Sequence, residues 1–262
     1  MKLAPVTTCL AGMLAACAAA PVVPPEVRRE LASSGKLRVG LILSNQVLVS
    51  RDIRTGELRG VAIALGKALA ERIGVPLEPV GYPNPAALAG SFGRDQWDVA
   101  FLAFDPARAG EVDFSPPYMV VDNTYLIPAG SRLESVETAD RPDVRIAVPE
   151  RSAPDLFLSR SLTAARIIRV PGGAEAAVEV LRSGRADAYA ENAHMLGLYS
   201  EKLPGSRVLE GRYAVIQHAI ATPKGKGAAA QYVRRFVEQS RTDGTVERAI
   251  TGAGLRRASV AP

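Results

Sequence analysis

Apolar residues in this chain alternate between two rhythms, and the alternation predicts an α/β protein. Short apolar runs read as buried strands: Leu37 to Leu43, Val75 to Tyr82, Val99 to Phe104, Val144 to Val148, Arg166 to Val170 and Ala186 to Ala190. Between them lie stretches with helical spacing. The clearest is Val61 to Ile73, where Val61, Leu65, Leu69 and Ile73 share one face and Gly74 ends the run. Helices are also predicted over Glu26 to Ser34, Asn84 to Phe92, Asp155 to Ser161, Glu175 to Arg182 and Ala228 to Ser240. Arg54-Thr55-Gly56-Glu57 reads as a hairpin turn. Val120 to Ile127 is extended and apolar except at Asp122-Asn123, and Val208-Leu209 and Val215 to Ala221 are the last extended segments. The tail after Ile250 carries no clear pattern.

The start of the chain follows another logic. Lys2 and the small apolar run after it read as an export signal over residues 1–16, ending in Leu14-Ala15-Ala16-Cys17. That tetrapeptide resembles the lipobox of bacterial lipoproteins, in which the cysteine thiol accepts a diacylglycerol; the competing reading is a chance cysteine in an alanine-rich leader. Residues 17–34, with Pro21 to Pro25 (PVVPP), then form a lipidated N-terminus and linker. The two cysteines, Cys9 and Cys17, both lie in this leader, so the body has neither a disulfide nor a thiol nucleophile. No later run is long enough for a membrane-spanning helix. The expected location is the periplasm, with a lipid anchor.

Composition removes several classes. The 262 residues are 47% apolar and 5% aromatic, with a formal charge of +5 spread over short arginine pairs. Sparse aromatics and the lack of a basic block exclude an obvious nucleic-acid platform. There is no GxGxxG motif, and Lys224 to Gly227 (KGKG) lacks the cradle of a phosphate loop and reads as a solvated turn. His194 and His218 are scattered and there is no nucleophile elbow, so Ser152 is not read as a catalytic nucleophile. No catalytic residue, metal ligand or cofactor is assigned.

One cation stands out by position. The run Val99 to Phe104 ends in the turn Asp105-Pro106-Ala107-Arg108. Open α/β sheets hold ligands beyond the carboxyl ends of their strands, where a guanidinium grips a carboxylate with two prongs. An isolated arginine at such a turn is otherwise simply solvated. Here it is followed by VDFSPPY (Val112 to Tyr118).

That segment resembles the one after the carboxylate-binding arginine of bacterial extracellular solute-binding proteins of family 3, the amino-acid receptors of ABC importers. The resemblance runs from about Gly35 to Ile250 through KLRVGL, TGELRGVAIALGKALAERIG, WDVAF, GRADAY and SRTDGTVERAI. It implies a two-lobed periplasmic-binding-protein fold (type II) with two crossing strands, lobe 1 taking residues 35–120 and 217–262 and lobe 2 residues 121–216. Val120 to Ile127 then crosses between lobes, a plain edge strand being the alternative. The resemblance further implies a monomer that captures a small molecule and passes it to permease subunits.

Several site positions depart from the family pattern. The loop after the first strand has no aromatic ring, leaving Asn45 and Gln46 as hydrogen-bonding candidates, and Tyr82 and Phe104 are candidate walls or core residues. Asp105 is expected to cap its turn. Arg151 stands where relatives have glycine, beside Ser152, which retains a hydroxyl for a carboxylate. Where relatives place an aspartate to receive an α-ammonium group, this chain has Asn192. Glu191 is adjacent, but neighbours on a strand face opposite sides, so it substitutes only where the backbone turns. The expected solute is therefore a carboxylate or amino-acid-like molecule. A dehydratase on the same fold, with Glu191 as acid–base residue, and a ligand sensor or accessory lipoprotein are the alternatives.

Overall fold

A computed structural model describes residues 23–262. The leader, with the export signal and Cys17, lies outside the described residues. The first half contains α1 (Pro25–Leu31), β1 (Leu37–Ile42), the hairpin β2 (Ser50–Arg51) and β3 (Leu58–Arg59), α2 (Val61–Ile73), β4 (Leu77–Tyr82), α3 (Pro85–Ala89), β5 (Val99–Ala103), β6 (Val112–Phe114) and β7 (Met119–Ile127). The second contains β8 (Arg145–Pro149), α4 (Ala153–Ser161), β9 (Arg166–Val170), α5 (Ala174–Arg182), β10 (Ala188–Asn192), α6 (Ala193–Ser200), β11 (Arg207–Val208), β12 (Ala214–Pro223), α7 (Gly227–Thr242), α8 (Thr245–Gly252) and β13 (Ala258–Val260).

The main sheet runs β4-β1-β5-β12-β7-β10-β8-β9. Its two ends are parallel units, β4-β1-β5 and β10-β8-β9, each built by strand–helix–strand connections. Between them β12 and β7 run antiparallel to each other and to their outer neighbours. These are the two crossing strands of a two-lobed fold.

Sequence and packing agree closely in α2. Its periodic face buries Val61, Leu65, Leu69 and Ile73 completely or nearly so, each such side chain contributing about 1.5–3 kcal/mol. Gly60 precedes it at φ +116°, where an added Cβ would lie 2.6 Å from the Leu48 carbonyl oxygen. Gly74 closes it in the left-handed conformation, its N–H bonding back to Ala70 and Glu71.

The lobes repeat one clasp. In the first, Asp98 accepts from the Arg38 backbone N–H (2.8 Å), Nε (3.1 Å) and Nη2 (2.7 Å). In the second, Asp187 accepts from the same three groups of Arg145 at 2.8, 3.0 and 2.8 Å. Each aspartate stands just before a buried strand and ties its start to the neighbouring strand, which explains the shared D-x-x of WDVAF and GRADAY.

Four differences from the sequence-based expectation have physical causes. Pro25 at the first turn starts α1 one residue early, and the chain leaves helix at Ala32 (φ −148°) before Gly35 is reached. α3 stops at Ala89, with Gly90 as its cap, rather than running to Phe92. α6 has apolar residues on every side and no polar face to announce it. The tail forms β13, which pairs with β7 at Val121, Val120 and Met119. Among the described residues no helix is long and apolar enough to cross a membrane.

Candidate functional site

Where the lobes meet, the strand ends of both halves line a small, partly open cavity of about 30 Å³, room for about one water molecule. Its polar lining is Asn45, Arg108, Asn123, Glu191, Asn192 and His218. Ile42, Ala103 and Ile216 provide apolar wall, and Ala153 and Pro154 approach from the first turn of α4. Larger grooves, of about 320 to 500 Å³, lie elsewhere on the surface. They lack the convergence of buried polar groups that marks a small-molecule site.

Arg108 is placed by its turn. Asp105 Oδ1 accepts from the Ala107 N–H at 2.9 Å, and the Arg108 N–H bonds to the Asp105 carbonyl at 3.0 Å. This folds the guanidinium back beneath the end of β5, where it is 5% exposed. Nη1 donates to the Ala103 carbonyl (2.9 Å) and Nη2 to the Arg151 carbonyl of the other lobe (2.6 Å). A guanidinium has five N–H donors, so three remain, and among the described residues no side-chain carboxylate is hydrogen-bonded to this one. Burial lowers its pKa to about 10, so it stays a cation at neutral pH.

Arg151 holds its carbonyl in place from a left-handed backbone, φ +55°, a conformation rare outside glycine. Its N–H donates to Asp155 Oδ2 at 2.8 Å, and Asp155 is paired in turn with Arg169 at 3.0 Å. Ser152 caps α4, its hydroxyl oxygen accepting from the Asp155 N–H at 3.3 Å. It is buried beside the cavity but is not part of its lining.

Glu191 and Asn192 meet the cavity together because β10 ends there and α6 begins at Ala193. The expected opposition of neighbours on a strand therefore does not hold at this corner. Asn192 Oδ1 caps α6 through the Met195 N–H, while its backbone and Nδ2 N–H groups both donate to Glu191 Oε1 at 2.9 Å. Loss of water raises the Glu191 pKa to about 7, against the opposing pull of those two hydrogen bonds. Burial, reinforced by Arg108, lowers His218 to about 4 and keeps it neutral.

The remaining candidates lie apart. Gln46 is exposed. Tyr82 donates to Gln96 Oε1 at 3.0 Å, and Phe104, 39% exposed, packs edge-on against Phe114 at 5.3 Å. None of the three lines the cavity. Asn123 and His218 line it from the crossing strands. In sequence Asn123 is visible as a polar break in an apolar run, whereas His218 looks like ordinary strand alternation.

A second interlobe contact lies outside the cavity. Asp105, 4% exposed, accepts from Arg160 of α4 through two bonds, 3.1 and 2.8 Å. It caps its turn as expected and also latches the lobes. Because Arg160 is half exposed, the latch is worth about 1 kcal/mol. Arg160→Gln is expected to lower the closed-to-open ratio of the empty protein about fivefold. Energy transfer between dyes on Lys67→Cys and Glu179→Cys reads this directly, since the chain from Ala18 onward has no cysteine of its own. An unchanged distance distribution would rule the latch out.

Two lobes, two crossing strands and a buried cation at the interlobe cavity are the architecture of a small-molecule receptor. The chain belongs to the bacterial extracellular solute-binding proteins, family 3, whose sequence profile matches residues 37–251. It is 28% identical over 151 residues to the ABC transporter glutamine-binding protein GlnH of Bacillus subtilis, covering 56% of this chain and about half, 53%, of that protein. Among solved structures, a mutant of ArgBP from T. maritima superposes with a TM-score of 0.74 at 22% identity, covering 87% of this chain and 99% of that one. The ancestral amino acid-binding protein AncCDT-1, described as a precursor of cyclohexadienyl dehydratase, gives 0.71 at 26%, covering 85% and 96%. The L-cysteine receptor of Neisseria gonorrhoeae gives 0.74 at 20%, covering 90% and 99%.

Proposed function

We propose that this chain is the extracytoplasmic solute-binding lipoprotein of an ABC importer, and that it delivers a small carboxylate-bearing or amino-acid-like solute. The observation that carries this reading is the buried Arg108 cation, held at the interlobe cavity by two backbone carbonyls with three donors to spare. Family membership and the glutamine-binding relative support the transport role. Lobe 1 is taken as residues 35–120 and 217–262 and lobe 2 as residues 121–216, so that the divisions fall in the paired strands β7 and β12. Arg108 holds the carboxylate, Ser152 donates its hydroxyl hydrogen from the cap of α4, and Asn45, Asn192 and Glu191 meet the remaining polar groups.

Calorimetry with carboxylates, their neutral amides and free α-amino acids tests this reading. Binding of acids at least tenfold tighter than of their amides is expected, and equal affinity for both would overturn it. The Glu191 carboxyl, poised near neutrality inside the cavity, supports a dehydratase as a second reading. Proton NMR of the same mixtures separates the two, because a receptor returns every bound solute unchanged.

The lipoprotein assignment rests on Leu14-Ala15-Ala16-Cys17. Intact mass of the membrane-associated protein is expected to show a mature chain beginning at a diacylglyceryl-modified Cys17. A mature chain beginning elsewhere, without lipid, would reject it.

A further inference from the structure

Among the described residues, four side-chain polar atoms are buried with no hydrogen-bond partner: Tyr118 Oη, Tyr189 Oη, Asn123 Oδ1 and His218 Nδ1. The two tyrosines belong to the packed interior. The other two differ, because Asn123 and His218 are 2% and 4% exposed and both line the interlobe cavity. A buried polar group left unmatched carries its full desolvation cost, so a pair of them at one cavity points to the molecule that fills it.

The register of the crossing strands explains why both face inward. Asn123 pairs with Ala214, Val121 with Ile216 and Met119 with His218. Successive pairs two residues apart share one face of a sheet, so Asn123, Ile216 and His218 form one floor with a polar group at each end. Asn123 is oriented by its other end: Nδ2 donates to the Tyr213 hydroxyl at 3.3 Å, and that ring stacks 4.8 Å from Tyr125. Its Oδ1 is thereby left to accept. His218 is neutral beside Arg108, so each of its nitrogens either donates or accepts, and a hydroxyl answers both.

We infer that Asn123 and His218 are specificity-determining residues, and that the solute is an acid bearing at least one hydrogen-bond donor besides its carboxylate: a hydroxyl, amide or amino group that reaches the floor formed by β7 and β12. This rests on the carboxylate-receptor reading and narrows it. Plain alkanoates and ionised dicarboxylates, which only accept, leave Asn123 Oδ1 unmatched and are discriminated against. A site built to hydrogen-bond a donor rejects the analogue that lacks it far more strongly than an apolar pocket rejects an added group.

Calorimetry with four matched pairs tests the inference: lactate against propionate, malate against succinate, glutamate against glutarate and γ-aminobutyrate against butyrate. At least one donor-bearing acid is expected to bind tenfold or more tightly than its mate. Asn123→Leu and His218→Leu should each reduce that ratio at least fivefold. Because His218→Leu removes an unpartnered polar atom, the melting temperature of the empty protein should not fall, which a purely structural role would not allow. Donor-free acids binding as tightly as their mates to the wild type would overturn the inference without any variant. A ratio unchanged in both folded variants would overturn it as well. If no acid of either kind binds, the carboxylate-receptor reading itself fails, and this inference falls with it.

Discussion

Arg108→Ala is expected to weaken binding of a carboxylate by one to two decades in affinity, the equivalent of a charge-assisted contact of about 1.5–3 kcal/mol. The mechanism has two parts. The guanidinium faces the cavity as a buried cation, and it also ties the lobes by donating from the turn after β5 to the Arg151 carbonyl. The first part predicts that preference for an acid over its neutral amide largely disappears. The second predicts that the empty variant opens more readily. Arg108→Lys separates them: an ammonium keeps the charge but cannot span the Ala103 and Arg151 carbonyls with a planar fork, so it should recover part of the acid preference and little of the closure. A third readout needs no solute. Arg108 depresses the proton affinity of His218, so the His218 pKa should rise in Arg108→Ala, as followed by imidazole NMR. Circular dichroism first establishes that the variant is folded. An unchanged acid-to-amide ratio together with an unmoved His218 titration would take Arg108 out of the site.

How much of this was legible in the sequence depends on how local each feature is. α2 was readable to the residue, because its stripe and its closing glycine are both written within one stretch. β9 was equally readable. α6 was not, because Ala193, Met195, Leu196 and Tyr199 bury several faces, so no polar stripe sets the period. Its start signal, Asn192, is an N-cap, a role invisible when that residue is weighed only as a ligand contact. β13 carries too short a pattern to stand alone and exists by pairing with β7, more than a hundred residues earlier. The cavity divides in the same way. Arg108 could be picked out because the turn that carries it is followed by VDFSPPY, the family-like segment; its position after a buried run would not have been enough. Asn123 showed only as a polar break in a crossing strand and His218 not at all, because one polar residue in an apolar strand says nothing of which face it takes, and only the register between β7 and β12 decides that. Arg151 showed as a departure from glycine, but not that its left-handed backbone would aim a carbonyl at Arg108.

The other large effect concerns pH. Glu191 has a pKa of about 7 in the folded protein, above its ordinary value near 4.5. Between those values the native state holds a proton that the unfolded chain has released, so this group makes stability fall as pH rises from about 4.5 to 7. His218 acts in the opposite sense. Its folded value of about 4 lies below the ordinary 6.5, so the unfolded chain binds the extra proton and stability rises with pH across nearly the same window. His194, also lowered by burial, adds to the rise. The wild type should therefore show a shallow profile in which two buried groups offset one another. Glu191→Gln keeps the side-chain shape and removes one of them. Its stability should climb with pH through that window, coincide with the wild type near pH 4, and exceed it at pH 8 by about 3 kcal/mol. Urea unfolding at intervals from pH 4 to 8 measures this, and parallel profiles for the two proteins would show that Glu191 ionises freely. The same carboxyl also reports on the solute. A bound ammonium group beside Glu191 favours its charged form, so binding at pH 7 would release a proton, and the calorimetric heat would vary with the ionisation enthalpy of the buffer. A solute that meets Glu191 with a hydroxyl leaves the proton in place, and its heat of binding should be the same in every buffer.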